Sequence, residues 1–409
     1  MAMRLEKPSR VQSAATIALT ALFLCAIGFF GFKGVAKDPK AVLNAVRFHK
    51  AKRYLANEAQ TDFFSMTQAR ILSLQDQLER AVPYQDELHV LNASFQYALG
   101  REMVVEGAEQ MLRLPNGQLY YLTERKSLRA QAEGIVALRD ALPQGTPLLF
   151  SYIHPGFFNG GQQLPEGYRG VDTSDELADE VLEIVRGAGI DALDSRTFFE
   201  GLGYTSDDLE LKTDKHWTTL AALLATERYA REIQARTDAT IDLSRLSLDA
   251  FDTETYPEFF FGDFGRLVGK RNAPMDDITV FLPKYDTHIA RHSEHRTGDI
   301  EDVEGTFAEA VLRREKLTEE LAYTDYGLIE AYETLDGEGG AEMTVLVLRD
   351  SYSAPICSFL SLAVNHVVSA DLRYCEKTGL ELIEEIQPDL VIVSFSRLMF
   401  EDATYRLGV

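Results

Sequence analysis

The chain reads as an α/β protein: a parallel sheet flanked by helices, with an N-terminal transmembrane helix ahead of it and an irregular insertion within it. Three observations predict this. Short apolar runs alternate with amphipathic stretches through the C-terminal third, the pattern of strand–helix–strand units that lay down parallel strands. One uncharged run near the N-terminus is as long as a bilayer core is thick. Between roughly residues 240 and 340 acidic and aromatic residues mix without a clear period, which reads as an irregular flap over the sheet.

Residues 13–32 carry no charge and are rich in Ala, Leu, Ile and Phe. As a helix this run extends about 30 Å, enough to span a membrane. Arg4, Lys7 and Arg10 precede it, while Lys33, Lys37, Lys40 and Arg47 follow, so flanking charge does not set its orientation. The rival reading is a cleaved signal peptide ending at Gly34-Val35-Ala36, although the run is longer than a usual signal core. Residues 1–36 are therefore read as an anchor and 37–110 as a helical stalk, with few helix breakers across 40–82 and a stop at Pro83. Residues 111–409 form the main domain.

Within that domain Asn116-Gly117 marks a turn before a short strand at 118–122. An amphipathic helix is expected over 127–142. Strand 148–153 follows, then helices at 175–188 and 218–233. The tail repeats strand 344–348, helix 355–364, strand 366–370, helix 379–386 and strand 390–395.

The chain has 409 residues, 45% of them hydrophobic, enough for a sizeable core. Its formal net charge of −23 repels nucleic acid phosphates, so no nucleic-acid partner is expected. The same charge disfavours acidic polymers unless a local basic patch overrides it. Cys357 and Cys375 read as free buried thiols that pair only if the fold brings them together. Cys25 lies in the apolar run, and Leu22-Phe23-Leu24 before it lacks the small residue of a lipidation site. His288, His292 and His295 would share a face on a helix, but their segment has no apolar period, and no metal or cofactor is assigned.

Two strings carry chemistry. Asp214-Lys215-His216-Trp217 sets a carboxylate two residues from an imidazole, and Arg349-Asp350-Ser351-Tyr352 sets a serine just after an apolar strand. An Asp two residues before a His can bond its Nδ1–H and leave Nε2 to take a serine proton. Ser351 at a strand-to-helix turn sits where open α/β sheets place ligands. The expected roles are Ser351 nucleophile, His216 base and Asp214 orienter, with the Ser351 and Tyr352 backbone N–H groups as oxyanion donors. Each has a plainer reading: Ser351 and Asp214 as helix caps, Trp217 as core packing rather than support beneath the imidazole. Lys215 is expected to face solvent, and Asp350 to shape the turn. His154, just past a strand, is a weaker candidate for lining the cleft, with a loop histidine as its plainer reading, and Arg397, past the last strand, for binding substrate or an oxyanion, with a surface salt bridge as its plainer reading.

Thr213-Asp214-Lys215-His216-Trp217-Thr218 resembles the signature of the DHHW family and the Asp-x-His-Trp of the SGNH-hydrolase-like alginate O-acetylation proteins. Leu348-Arg349-Asp350-Ser351-Tyr352-Ser353, Asp371-Leu372-Arg373-Tyr374 and Pro388-Asp389-Leu390-Val391 are similar to the C-terminal third of DHHW proteins. Gly262-Asp263-Phe264 is similar to a Gly-Asp-Leu of the alginate proteins. The resemblance covers about residues 110–400 and departs at Lys215, where the family has His. It implies an SGNH-like fold with the Asp-x-His ahead of the serine. It also implies serine-dependent O-acetyl transfer to, or removal from, an extracytoplasmic envelope polysaccharide, with a membrane-bound O-acyltransferase as acyl-donor partner. The alternative is a non-catalytic glycan-binding or assembly subunit with a degenerate site.

Overall fold

The computed structural model describes residues 85–106, 109–122, 127–143, 145–154, 173–312, 330–397 and 406–409. The apolar run at 13–32 and the stalk stretch at 40–82 lie outside them. Among the described residues no helix is long and apolar enough to cross a membrane. The chain divides into two units after Leu91. Of the first, only residues 85–91 are described, as the opening of helix α1 (Gln85–Ala98). The second, Asn92–Val409, holds every described strand.

That unit begins with an antiparallel sheet of β1 (Met103–Glu106), β2 (Glu109–Arg113) and β3 (Leu119–Tyr121). Sheet structure thus starts inside the segment read as helical stalk. The expected Asn116-Gly117 turn joins β2 to β3, with Gly117 at φ +87°, a left-handed geometry that glycine adopts without a Cβ clash. Next come α2 (Arg129–Ala141), β4 (Leu148–Ile153), α3 (Ser174–Gly187), β5 (Asp191–Asp194), the single turn α4 (Ser206–Leu209) and α5 (Thr219–Arg236). The 18-residue α5 is capped by the Thr218 hydroxyl, which accepts from the Ala221 N–H.

Residues 240–340 are more regular than the sequence indicates. They hold β6 (Phe251–Phe260), α6 (Asp263–Val268), β7 (Asp276–Pro283), β8 (Ile289–His295), β9 (Ile300–Gly305) and, from Glu330, β10 (Glu330–Gly337). β6 and β7 pair with each other, while β8, β9 and β10 extend the central sheet. Along β8 and β10 the apolar period is missing because ions occupy inward positions. Arg291 on β8 donates to Glu330 at 2.6 Å and Glu333 at 2.7 Å, and all three are buried.

The tail supplies β11 (Ala341–Arg349), α7 (Ala354–Leu360), β12 (Val364–Asp371), α8 (Gly379–Ile386) and β13 (Leu390–Ser396). α7 stops four residues earlier than expected, because β-branched Val364 already opens the parallel pairing of β12 with β11. α8 has the expected bounds and is fixed by a capping box between Thr378 and Glu381.

The eight-stranded sheet runs β5-β4-β13-β11-β12-β10-β8-β9. Its first five strands are parallel, and the last three are antiparallel additions. Both faces of β4, β13 and most of β11 and β12 are buried, so these strands are largely apolar. Val345 and Val347 of β11 face a core with α5 and α7, and Leu346 and Leu348 face one with α2, α3 and α8. The carboxyl ends of β4, β13, β11 and β12 share one edge, where Ser351 emerges.

Candidate active site

Ser351 follows β11 by two residues and opens a 3-10 turn, Ser351–Ser353, that leads into α7. Asp350 shapes that turn, as expected. Its Oδ1 accepts from the Tyr352 N–H at 2.9 Å and its Oδ2 from the Ser396 N–H at 2.5 Å. One carboxylate therefore fastens the Ser351 turn to the end of β13.

The Asp-x-His string lies in the loop from α4 to α5. Two backbone bonds close the loop: Leu211 N–H to the His216 carbonyl and Thr218 N–H to the Leu209 carbonyl. Asp214 Oδ1 accepts from the His216 backbone N–H at 3.0 Å and lies 2.5 Å from Nδ1. That bond assigns the imidazole proton to Nδ1 and turns Nε2 toward Ser351 Oγ, at 2.8 Å. Residues 135 positions apart are thereby joined, and all three side chains are buried. Burial alone would raise the Asp214 carboxyl. The attraction and hydrogen bond of His216, together with Lys215, outweigh it and hold the group well below the usual carboxylate range. Asp214 is thus an ionised acceptor whenever the protein is folded near neutral pH.

Residues 116–311 match the family model of the SGNH hydrolase-like domain of the acetyltransferase AlgX. The match contains Asp214 and His216 and ends before Ser351. A DHHW family protein from Eubacterium siraeum has the same fold at TM-score 0.56 and 15% identity, over 75% of this chain and 98% of that one. Bacillus cereus PatB1, solved with a sulfonyl adduct, aligns at TM-score 0.59 and 16% identity, over 73% and 99% of the two chains. No curated protein matches. The expected likeness is thus found in sequence to the SGNH hydrolase-like domain of an acetyltransferase, over residues 116–311, and in fold to a DHHW family protein.

A second layer of hydrogen bonds holds the Asp214–His216 loop in place. The Asp276 carboxylate accepts from Lys212 N–H at 2.6 Å, Thr213 N–H at 2.9 Å and the Thr213 hydroxyl at 2.5 Å. The Thr213 hydroxyl accepts from Gly262 N–H at 3.0 Å, and the Thr213 carbonyl from Gly265 N–H at 2.9 Å. Asp263 N–H then donates to Asp214 Oδ2 at 3.1 Å. A Cβ on Gly262 would lie 2.4 Å from Asp214 Cβ and 2.7 Å from the Thr213 carbonyl, so only glycine lets α6 approach the acid this closely.

Trp217 is buried and reaches the Ser351 turn. Its Nε1–H donates to the Tyr352 carbonyl at 3.1 Å, and the Tyr352 ring, 4.8 Å between centroids, is what packs on His216. The Tyr352 hydroxyl donates to the Lys215 carbonyl. Lys215 does not face open solvent: its side chain is 18% exposed and its Nζ lies 3.0 Å from Asp263. The Tyr352 N–H, an expected oxyanion donor, is engaged by Asp350, which leaves Ser351 N–H as the candidate at the turn. His154 is buried at the end of β4, its Nε2 3.6 Å from Asp175 and its backbone N–H on Ser195. Arg397 follows β13 at the same edge and reaches the Tyr152 hydroxyl electrostatically. Neither joins the Ser351–His216–Asp214 line.

The three histidines lie at β8, where His292 and His295 point to opposite faces. Among the described residues no cluster of His, Cys, Asp or Glu has metal-binding geometry. Cys357 and Cys375 are free and buried. Gly262 and Asp263 were legible only through the Gly-Asp-Phe likeness. Asp276 had no signal, being a single carboxylate 63 residues from the threonine it holds.

Proposed function

We propose that the protein is a serine-dependent O-acetyltransferase acting on an envelope polysaccharide, with Ser351 as nucleophile, His216 as base and Asp214 as orienter. The observation that carries this is the continuous line from Asp214 Oδ1 through the imidazole to Ser351 Oγ, with bonds of 2.5 and 2.8 Å. A serine placed so at the end of a parallel strand can attack an ester carbonyl while its proton passes to Nε2. Collapse of the tetrahedral adduct expels the donor alkoxide, which takes that proton and leaves acetyl-Ser351. A sugar hydroxyl then gives its proton to Nε2 as its oxygen attacks the acetyl carbonyl, and collapse of that adduct expels the Ser351 alkoxide, which takes the proton back and leaves the acetyl group on the sugar. Water in place of the sugar makes the same site an esterase. Asp214 stays ionised in each step and stabilises the imidazolium.

The uncharged run at 13–32, preceded by Arg4, Lys7 and Arg10, supports an anchored protein. With the likeness to acetyltransferases, it favours an extracytoplasmic domain fed by a membrane-bound O-acyltransferase.

The test is turnover of a chromogenic acetyl ester by the full chain, beside Ser351→Ala and His216→Ala. The reading expects wild-type turnover and a fall of roughly a thousandfold or more in both variants with unfolding midpoints unchanged. Equal turnover in Ser351→Ala would sink it. A folded but inactive wild type that still binds glycan would favour the alternative, a binding subunit.

A further inference from the structure

Three buried hydroxyls join α5 to the Ser351 turn. The Tyr229 hydroxyl on α5 lies 2.8 Å from Ser394 Oγ on β13. Ser394 Oγ in turn lies 2.6 Å from the Oγ of Ser353, the last residue of the turn that Ser351 opens. All three residues are fully buried. Ser394 stands in register with Arg349 at the end of β11, and its carbonyl accepts from the Asp350 N–H at 3.3 Å. One serine thus touches the chain just before Ser351 and just after it. Burial pushes the Tyr229 phenol up to about 12, so it stays a neutral hydroxyl near neutral pH.

Two features set this chain of hydroxyls apart from ordinary core packing. Ser353 is the N-cap of α7, where a serine hydroxyl commonly accepts from a free N–H of the helix. Here it makes no capping bond and turns to Ser394 instead. The chain also crosses an apolar core, since Tyr229 packs in the cluster that contains Ile356, Leu360 and Ile392. Apolar residues of like shape at all three positions would fill that space with little loss of stability. The penalty falls on a buried hydroxyl left without a partner, not on a pair that was never there. What the satisfied chain adds is one fixed arrangement, because sliding the turn along α5 breaks a bond.

The placement meets a need of the site. α5 begins at Thr219, so His216 rides on the start of this helix. Tyr229, about three turns further along, is tied to the turn that carries the serine. Near the helix start Trp217 Nε1–H donates to the Tyr352 carbonyl at 3.1 Å, and the hydroxyl chain is a second tie from the same helix to the same turn. We infer that the Tyr229–Ser394–Ser353 hydroxyl chain sets Ser351 Oγ at its 2.8 Å from His216 Nε2, which makes Tyr229 and Ser394 positioning residues. The inference rests on the reading of Ser351 as nucleophile and His216 as base.

The experiment compares the full-length wild type with Tyr229→Phe, Ser394→Ala and a control, Thr226→Val, which removes a buried α5 hydroxyl that donates to the Ala222 carbonyl of the same helix. With the chromogenic acetyl ester, kcat should fall about tenfold in Tyr229→Phe and further in Ser394→Ala, with KM changed by less than about twofold. The double variant should fall no further than Ser394→Ala, and Thr226→Val should keep the wild-type kcat. A second readout needs no turnover: in protein carrying 15N-histidine, the His216 Nε2 resonance of Tyr229→Phe should move toward its position in Ser351→Ala, while the Nδ1 resonance stays. A wild-type Nε2 resonance in folded Tyr229→Phe, an equal loss of kcat in Thr226→Val, or a change confined to KM would overturn the inference. An inactive wild type sinks the acyl-transfer reading, and the Nε2 resonance still decides the positioning. An active wild type matched by Tyr229→Phe in both readouts sinks the positioning alone.

Discussion

At the residue scale the site depends on Asp214 being an ionised acceptor in one position. Asp214→Asn keeps the shape but no longer selects the tautomer with its proton on Nδ1. Turnover of the chromogenic ester should fall roughly a thousandfold to ten-thousandfold while the unfolding midpoint moves little. Gly262→Ala tests the same geometry from outside. The added methyl group has backbone on one side and Asp214 Cβ on another, so the loop must move. We expect turnover to fall together with a stability loss of about 1–3 kcal/mol, read by denaturant unfolding. Full activity in Gly262→Ala would show that the approach of α6 does not position the acid.

At the element scale, Asp350 fastens the end of β11 to the end of β13 through two backbone N–H groups. Asp350→Ala leaves both buried donors unsatisfied and should cost about 2–4 kcal/mol, with turnover falling because the Ser351 turn loosens. The elements themselves were largely legible. Strands 148–153 and 390–395 announce themselves by apolar runs next to Pro, since both sheet faces are buried there, and helix 379–386 by an amphipathic pattern that starts at Gly379. β8 and β10 were not, because Arg291, Glu330 and Glu333 stand where apolar residues would mark an inward face. The triad was legible because its partners sit in two short strings with strand context. Asp276 was not, since a lone carboxylate among 64 acidic residues carries no pattern.

At the scale of the whole molecule, buried ions bind two strands of the antiparallel extension, β8 and β10, to each other. Arg291→Met would strand Glu330 and Glu333 without their partner, and we expect a loss of about 3–5 kcal/mol in denaturant unfolding. The acid response has two opposing parts. Asp214 is depressed in the folded state, so its contribution is present above the ordinary carboxylate range and is lost as the pH falls through its folded value. Asp276 is raised, chiefly by burial and against its three hydrogen bonds. Its contribution is therefore fullest below about pH 4 and declines as the pH rises through its folded value. Asp276→Asn should flatten that decline in a series of unfolding curves above pH 4. An unchanged slope would mean that Asp276 is not the group responsible.

The central claim is that Ser351 is an activated nucleophile, and covalent labelling by a sulfonyl fluoride tests it most directly. Peptide mapping of the treated full-length protein should place the adduct on Ser351, with labelling slowed at least a hundredfold in a folded His216→Ala variant. A folded wild type that takes no label at Ser351, or a His216→Ala variant that labels at the wild-type rate, would contradict the account.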